Sequence, residues 1–117
     1  MCIRDRSRAA KAGFDWDDIN GAFDKVQEEI NELKTAVDQG SSAEIEEELG
    51  DLLFSCVNVS RFVNADSEEV LTASTNKFIS RFKLVEQLAQ EKGISMKDSS
   101  IEELDKLWDR AKEILAD

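Results

Sequence analysis

Apolar residues recur along this chain in alternating steps of four and three positions. That spacing keeps them on one face of an α-helix and is typical of helices that bury one side. Over residues 17–37 the apolar positions are Ile19, Phe23, Val26, Ile30, Leu33 and Val37. After a turn-forming cluster at residues 38–42, the series resumes with Ile45, Leu49, Leu52, Cys56, Val59 and Val63. The pattern predicts two long amphipathic helices, whose apolar stripes we expect to pack together as an antiparallel hairpin.

Three further helices are predicted on either side of this pair. A short basic helix over about residues 4–12 ends at Gly13, a residue type that commonly follows a helix. Capping-box spacings mark the starts of the third, fourth and fifth helices at Ser41, Asp66 and Ser100, and Gly93 ends the fourth. No segment alternates polar and apolar residues as an exposed strand does. The sequence therefore predicts an all-α bundle of four to five helices, in a single domain spanning residues 1–117.

The composition narrows the classes of function. The chain has 117 residues, of which 41% are hydrophobic, enough to form a buried core. Its 26 acidic and 15 basic residues give a net charge of −11, which argues against a nucleic-acid binder with a basic face. Histidine is absent, which excludes His-based zinc sites and Ser-His or Cys-His pairs. Two cysteines make no disulfide framework and no apolar run reaches membrane-spanning length, so we expect a cytoplasmic protein without a membrane partner.

Paired acids on the two long helices are the main candidates for chemistry. Glu29 and Glu32 lie three residues apart on one helix, and Glu48 and Asp51 on the other. At about 100° per residue, each pair falls on the same flank of its apolar stripe. In an antiparallel hairpin the pairs can converge, and four carboxylates repel one another unless a divalent cation lies among them. Oxygen ligands alone favour a hard ion, Mg²⁺ or Mn²⁺.

Each candidate also has an ordinary structural interpretation, which the sequence leaves open. Acid pairs at this spacing are common on solvated helix surfaces. Lys77 and Arg81 lie one turn apart on one flank of the fourth helix, which suits either a polyphosphate ligand or surface salt bridges. Trp108 lies on the apolar face of the last helix, which favours a core residue over a base-stacking platform. We expect Cys56 to be a small buried apolar residue.

Four short elements give the sequence a family resemblance. Residues 28–32 read Glu-Glu-Ile-Asn-Glu and residues 48–51 read Glu-Leu-Gly-Asp. Residues 76–82 read Asn-Lys-Phe-Ile-Ser-Arg-Phe, and residues 13–16 read Gly-Phe-Asp-Trp. Together they resemble the MazG nucleoside triphosphate pyrophosphohydrolases, members of the all-α NTP pyrophosphatase superfamily. The resemblance extends from about residue 7 to the C-terminus, and residues 1–6 fall outside it or are an artefact.

The resemblance implies an enzyme that hydrolyses a nucleoside triphosphate (NTP) to the monophosphate and pyrophosphate with Mg²⁺. The metal ligands and catalytic acids that it implies are Glu29, Glu32, Glu48 and Asp51. The substrate-binding residues that it implies are Lys25, Lys77 and Arg81 at the phosphates, Trp108 at the nucleotide, and Glu28 within the motif. The helical wheel points Glu28 away from the other four acids, so we rank it below them.

Two departures from the family pattern qualify these expectations. Larger members carry two such domains in tandem, and this chain resembles the C-terminal one. Glu44 stands where some relatives carry a lysine near the nucleotide, so nucleotide affinity or base preference can differ.

The partner expected besides the NTP is a second copy of the chain, because four amphipathic helices expose more apolar surface than one small bundle hides. Two alternatives to a general NTP pyrophosphohydrolase stay open: a catalytically inactive helical dimerisation or structural module, and a pyrophosphatase restricted to one deoxynucleotide such as dUTP or dCTP.

Overall fold

The computed structural model describes residues 3–13 and 15–116, with side chains from Asp5 onward. Within those ranges it contains α-helices, one 3₁₀ turn at Met96–Asp98 and no strand. The helices are α1 (Ile3–Lys11), α2 (Ile19–Gln39), α3 (Ser42–Phe62), α4 (Ser67–Glu91) and α5 (Ile101–Leu115). The all-α prediction with four to five helices is confirmed.

Local capping signals fix the helix ends within one or two residues of their predicted positions. The Ser41 hydroxyl accepts a hydrogen bond from the Glu44 backbone N–H at 3.3 Å, and Ser100 caps α5 in the same way. These bonds satisfy N–H groups that have no partner within the helix. Gly13 and Gly93 follow α1 and α4 with φ of +90° and +67°, a conformation that side chains with a Cβ disfavour.

The chain divides into two compact units, residues 1–67 and 68–117, and each is described by itself. In the first unit α2 and α3 pack against each other as a hairpin, and α1 contacts α3. The connection between α2 and α3 is only residues 40–41, so the two helices run antiparallel. That the whole chain forms one domain stays a prediction.

The seam between α2 and α3 is built from small and polar side chains. On α2 the buried residues are Ala22, Glu29 and Ala36, spaced by seven, so they form one line along the helix. On α3 the buried residues are Ser55 and Asn58. Alanine and serine let two helix backbones approach closely. The packed face is therefore the flank that carries the acids.

The predicted apolar stripes are only partly buried, so they do not form the fully buried line of the hairpin that was expected of them. On α2, Phe23 is 51% exposed and Val37 is 61% exposed. Leu49 of α3 and Val63, which follows the helix, are about half exposed. Cys56 is exposed as well, which corrects the prediction that it is buried. Periodicity identifies an apolar face, but it does not identify the element that covers that face.

The second unit has a small apolar core between α4 and α5. Val85 and Ala89 of α4 pack with Leu107 and Ala111 of α5. Trp108 is partly buried against this cluster, as its position on the apolar face predicted.

Among the described helices, none combines the length and the apolar composition needed to cross a bilayer.

Candidate functional site

Three of the predicted acids meet across the α2–α3 seam. Glu29 of α2 and Glu48 and Asp51 of α3 each offer a carboxylate oxygen, and these oxygens lie within 4.8 Å of one another. Glu29 is buried, Glu48 is partly buried and Asp51 is exposed, so the group leads from the interior to the surface. Three convergent hard oxygen ligands can hold a metal ion.

The fourth predicted acid, Glu32, lies next to this group. The negative charge of Glu29 raises the pKa of Glu32, and a hydrogen bond with Glu48 raises it further. Both effects favour the protonated carboxyl, because adjacent carboxylates repel each other. Glu29, Glu32, Glu48 and Asp51 are called the acid cluster below.

Two carboxylate oxygens of the acid cluster are buried without a hydrogen-bond partner among the described residues. They are one oxygen of Glu29 and one of Glu48, the Oε2 atom in each case. A buried carboxylate oxygen without a donor or a cation destabilises the fold. A divalent cation bound among the acids would remove that penalty, so this donor set fits a metal.

Lys25 supplies a positive charge close to the acid cluster. Its Nζ lies 2.8 Å from Oε1 of Glu29 and 3.3 Å from Oε1 of Glu28. The hydrogen bond to Glu29 is the main reason that the pKa of Lys25 is raised. Glu28 is exposed and lies outside the acid cluster, as the helical wheel predicted. Among the described residues, the acids around Lys25 outnumber it, so its charge does not neutralise the acid cluster.

Within the described part of the first unit, two cavities adjoin the acid cluster. The first, of about 510 Å³, is lined by Asp5, Arg6, Ala9, Trp16, Lys25, Glu29, Asp51, Phe54, Ser55 and Asn58. The second, of about 490 Å³, is lined by Glu28, Asn31, Glu32, Thr35, Ala36, Gln39, Gly40, Glu44 and Glu48. The acid cluster contributes residues to both, so a ligand bound at the acids can extend into either.

The remaining predicted site residues lie in the second unit. On α4, Lys77 is exposed, and the guanidinium carbon of Arg81 lies 5.7 Å from the centre of the Trp108 ring. The Trp108 ring centre is 5.4 Å from that of Phe78. Arg81 and Trp108 thus meet within this unit. A role of these residues at the acid cluster stays a prediction.

An ion-pair network that sequence reasoning missed joins α1 to α3. Arg6 lies 2.8 Å from one carboxylate oxygen of Asp15. Both terminal nitrogens of Arg61 donate to Asp15 at 2.9 Å. The Arg61 hydrogen bonds are the largest reason that the pKa of Asp15 is lowered to about 2. In the sequence, Asp15 stands out only as part of the Gly-Phe-Asp-Trp element. Helical periodicity relates residues a few positions apart, so it could not predict a contact between Asp15 and Arg61.

Comparison with known proteins identifies the class. The model of the MazG nucleotide pyrophosphohydrolase domain matches residues 22–86, more than half of the chain. The chain therefore belongs to the MazG nucleotide pyrophosphohydrolase family, which confirms the resemblance read from the sequence. The matched residues include the acid cluster.

Curated relatives support the same assignment. A Thermotoga maritima protein named nucleoside triphosphate pyrophosphohydrolase/pyrophosphatase MazG is 46% identical over 112 residues, which are 96% of this chain and 43% of that protein. The nucleoside triphosphate pyrophosphohydrolase of Escherichia coli K12 is 37% identical over 112 residues, 92% of this chain and 41% of that enzyme. Bacillus subtilis YabN, named as uncharacterized, is 48% identical over 66 residues, covering 56% of this chain and 14% of that protein. The chain spans about two fifths of the two pyrophosphohydrolases.

Proposed function

We propose that this chain hydrolyses nucleoside triphosphates to the monophosphate and pyrophosphate with Mg²⁺. The observation that carries the proposal is the meeting of Glu29, Glu48 and Asp51 within 4.8 Å at a partly buried site. The unpartnered buried oxygens of Glu29 and Glu48 support a bound cation there. The printed names of two relatives describe this activity for those proteins.

Glu29, Glu32, Glu48 and Asp51 are the proposed metal ligands and catalytic acids. Their ligand atoms are all carboxylate oxygens, which suit Mg²⁺ and also Mn²⁺. A bound ion supplies charge neutralisation at the phosphates and lowers the pKa of a water molecule. In the hydrolysis a bond forms between the water oxygen and the α-phosphorus, and the bond from that phosphorus to the oxygen bridging to the β-phosphate breaks. A carboxylate of the acid cluster accepts the water proton.

Basic residues are proposed to offset the charge of the triphosphate. Lys25 is close enough to Glu29 to be shared between that acid and a phosphate. Lys77 and Arg81 are the proposed phosphate contacts on α4, since a guanidinium offers two parallel donors to phosphate oxygens. Trp108, which meets Arg81, is the proposed aromatic contact to the nucleotide, and Glu28 stays at the edge of the site as the partner of Lys25.

The alternative of an inactive structural module fits the geometry less well. Acids that serve only as a solvated surface are expected to be exposed, whereas Glu29 is 4% exposed. A pyrophosphatase restricted to one deoxynucleotide has the same acid geometry, so a nucleotide panel separates it from the general enzyme. The homodimer and the cytoplasmic location also stay proposals. The half-exposed apolar residues of α2 and α3 support the homodimer.

The test is a panel of ribo- and deoxynucleoside triphosphates with Mg²⁺ or with EDTA, with products identified by phosphorus NMR. We expect monophosphate and pyrophosphate with Mg²⁺, and no product with EDTA. Release of diphosphate and inorganic phosphate would mean attack at the γ-phosphorus and would contradict the proposed reaction. Turnover of a single deoxynucleotide would favour the restricted enzyme, and no turnover of any nucleotide would favour the structural module.

A further inference from the structure

The first cavity extends from the acid cluster along α3 and has a different chemistry from the second. Asp51, Ser55 and Asn58 follow one another at intervals of one turn on this helix, so the cavity wall runs about 10 Å from the acids. Its sides include the aromatic rings of Trp16 and Phe54. Its volume of about 510 Å³ falls within the range of small-molecule sites.

Asn58 is a buried residue of the cavity wall whose amide oxygen has no partner among the described residues. The residue is 4% exposed, and its Oδ1 has no hydrogen-bond partner among the described residues. The neighbouring Ser55 does not supply one, because its hydroxyl donates to the Leu52 carbonyl at 2.7 Å. Buried amide oxygens are nearly always hydrogen-bonded, so an unpaired one that lines a cavity is available to accept a hydrogen bond from a ligand.

Trp16 is held in place as one wall of this cavity. The backbone of α2 passes so close to its ring that a Cβ built on Gly21 would lie 2.7 Å from the ring carbon Cδ1. The guanidinium carbon of Arg6 lies 5.4 Å from the ring centre. Glycine at position 21 therefore allows the indole to pack directly on the helix backbone. The fixed indole gives the cavity a rigid apolar wall, against which a flat nucleobase can pack.

We infer that the first cavity binds the nucleoside of the substrate, and that Asn58 is a specificity-determining residue that hydrogen-bonds the edge of the base. This inference rests on the proposed function, because the acids must hold the phosphates. From the acids, the nucleoside can extend into either cavity. Among the residues that the structure describes, the second is lined by four acids and no aromatic residue, whereas the first offers aromatic rings and the unpartnered oxygen of Asn58. Asparagine carries a donor and an acceptor side by side, which matches the paired groups on base edges.

The first experiment compares Asn58→Leu with wild type in kcat/KM for ATP, GTP, CTP and UTP. Loss of one base hydrogen bond should lower kcat/KM by about tenfold for the preferred base, the effect of about 1.4 kcal/mol. The loss should differ between bases, because their edges differ, while Mg²⁺ binding measured by calorimetry stays unchanged. Asn31→Leu, at the wall of the second cavity, is the matched control and should preserve the ranking of the bases. The inference would be overturned if Asn58→Leu lowered kcat/KM equally for all four nucleotides. It would also be overturned if only Asn31→Leu changed the ranking of the nucleotides by kcat/KM.

A second variant closes the cavity without touching Asn58, which covers the case that Asn58→Leu does not fold. Ala9 of α1 lines the cavity, so Ala9→Leu narrows it with a residue that favours helix. We expect at least a tenfold weaker affinity for a nucleoside monophosphate, measured by calorimetry with Mg²⁺. Inhibition by inorganic tripolyphosphate, which has no nucleoside, should stay within twofold of wild type. Ala12→Leu, at an exposed position after α1, is the control.

These measurements separate failure of the inference from failure of the proposed function. If wild type hydrolyses NTPs while Ala9→Leu binds the monophosphate as tightly as wild type, the nucleoside lies elsewhere and the inference alone fails. If wild type hydrolyses no NTP, the proposed function fails. In that case, the inference of a nucleoside cavity would still be supported if wild type binds the monophosphate and Ala9→Leu binds it more weakly. The inference would be overturned if wild type does not bind the monophosphate.

Discussion

At the scale of single residues, Glu29 has the most constrained surroundings in the site. It is 4% exposed, one oxygen accepts a hydrogen bond from Lys25, and the other has no hydrogen-bond partner within the described part of the chain. Lys25 can balance one negative charge, yet Glu48 and Asp51 lie within the same small volume. The remaining excess of negative charge explains why a cation is expected among these acids and why the charge state of each acid depends on its neighbours.

Metal ligands and phosphate contacts can be told apart by paired substitutions. Glu32→Gln should weaken Mg²⁺ binding to the free protein, because it removes one oxygen anion from the acid cluster. Arg81→Ala should weaken binding of a non-hydrolysable NTP by about tenfold and leave Mg²⁺ binding intact, because a guanidinium binds phosphate and not cations. Titration calorimetry measures both affinities, with the exposed Lys83→Ala as control. Unchanged affinity of Arg81→Ala for the analogue would show that α4 does not contact the phosphates.

The ion pairs of Asp15 lead to a prediction about acid stability. Its pKa in the folded protein is lowered to about 2 from an ordinary value of 3.8. The stabilisation is therefore complete above pH 4 and is lost as the pH falls from about 4 to about 2. We expect Asp15→Asn to reduce the free energy of unfolding by about 1 kcal/mol at pH 7, since two arginines bind the carboxylate. The difference from wild type should shrink below pH 4, as urea titrations can measure.

The control for this prediction is Asp17→Asn, an exposed neighbour. Its stability should follow that of wild type at every pH. A difference between Asp15→Asn and wild type that is the same at pH 7 and pH 2.5 would mean that the carboxylate charge is not what stabilises this region.

At the scale of elements, the α2–α3 hairpin places the acids where neither helix could place them alone. Small residues along the seam bring the helix backbones close, so that acids from both helices reach a common point. Ala22 is completely buried in this unit. The same close packing that stabilises the hairpin therefore sets the spacing of the acid cluster.

Enlarging a seam residue should destabilise the hairpin. Ala22→Leu adds three carbons to a closed space, which typically costs about 1–3 kcal/mol. Urea denaturation of Ala43→Leu, an exposed position in the first turn of α3, gives the matched control. If Ala22→Leu left the free energy of unfolding unchanged, the two helices would separate easily at this point. The acid cluster would then be less rigid than described.

Much of the helical architecture could be predicted from local signals, because caps and turns act within a few residues. The pairs Ser41–Glu44 and Ser100–Glu103 located two helix starts in this way. The face that forms the seam could not be predicted, because contacts between helices, unlike periodicity, depend on residues far apart in sequence. For the same reason the sequence did not reveal Asn58 as a buried amide.

The acid cluster itself was predictable for a different reason. Both acid pairs lie on the corresponding flank of their helices, and any antiparallel packing near that flank brings them together. Three of the four predicted acids therefore meet, although the packed face was assigned to the apolar stripes.

At the scale of the whole molecule, apolar side chains at the surface suggest self-association. Leu53 is 60% exposed, and Phe23, Val37 and Val63 are each more than half exposed. We expect a homodimer mass in sedimentation equilibrium for wild type. Leu53→Glu should weaken the dimer by placing a charge in an apolar interface, while Glu46→Gln should not. A monomer mass for wild type at micromolar concentration would contradict the predicted dimer.

The central claim is that the acid cluster binds the metal ion on which NTP hydrolysis depends. The most direct measurement is the rate of pyrophosphate release as a function of Mg²⁺ concentration for wild type, Glu48→Gln and Glu47→Gln. Glu48 belongs to the acid cluster, whereas Glu47 is its exposed neighbour on α3. We expect Glu48→Gln to need much more Mg²⁺ and to lose at least about 100-fold in rate at limiting metal, about 2.7 kcal/mol. Glu47→Gln should match wild type. Equal Mg²⁺ dependence and equal rates in all three proteins would contradict the claim.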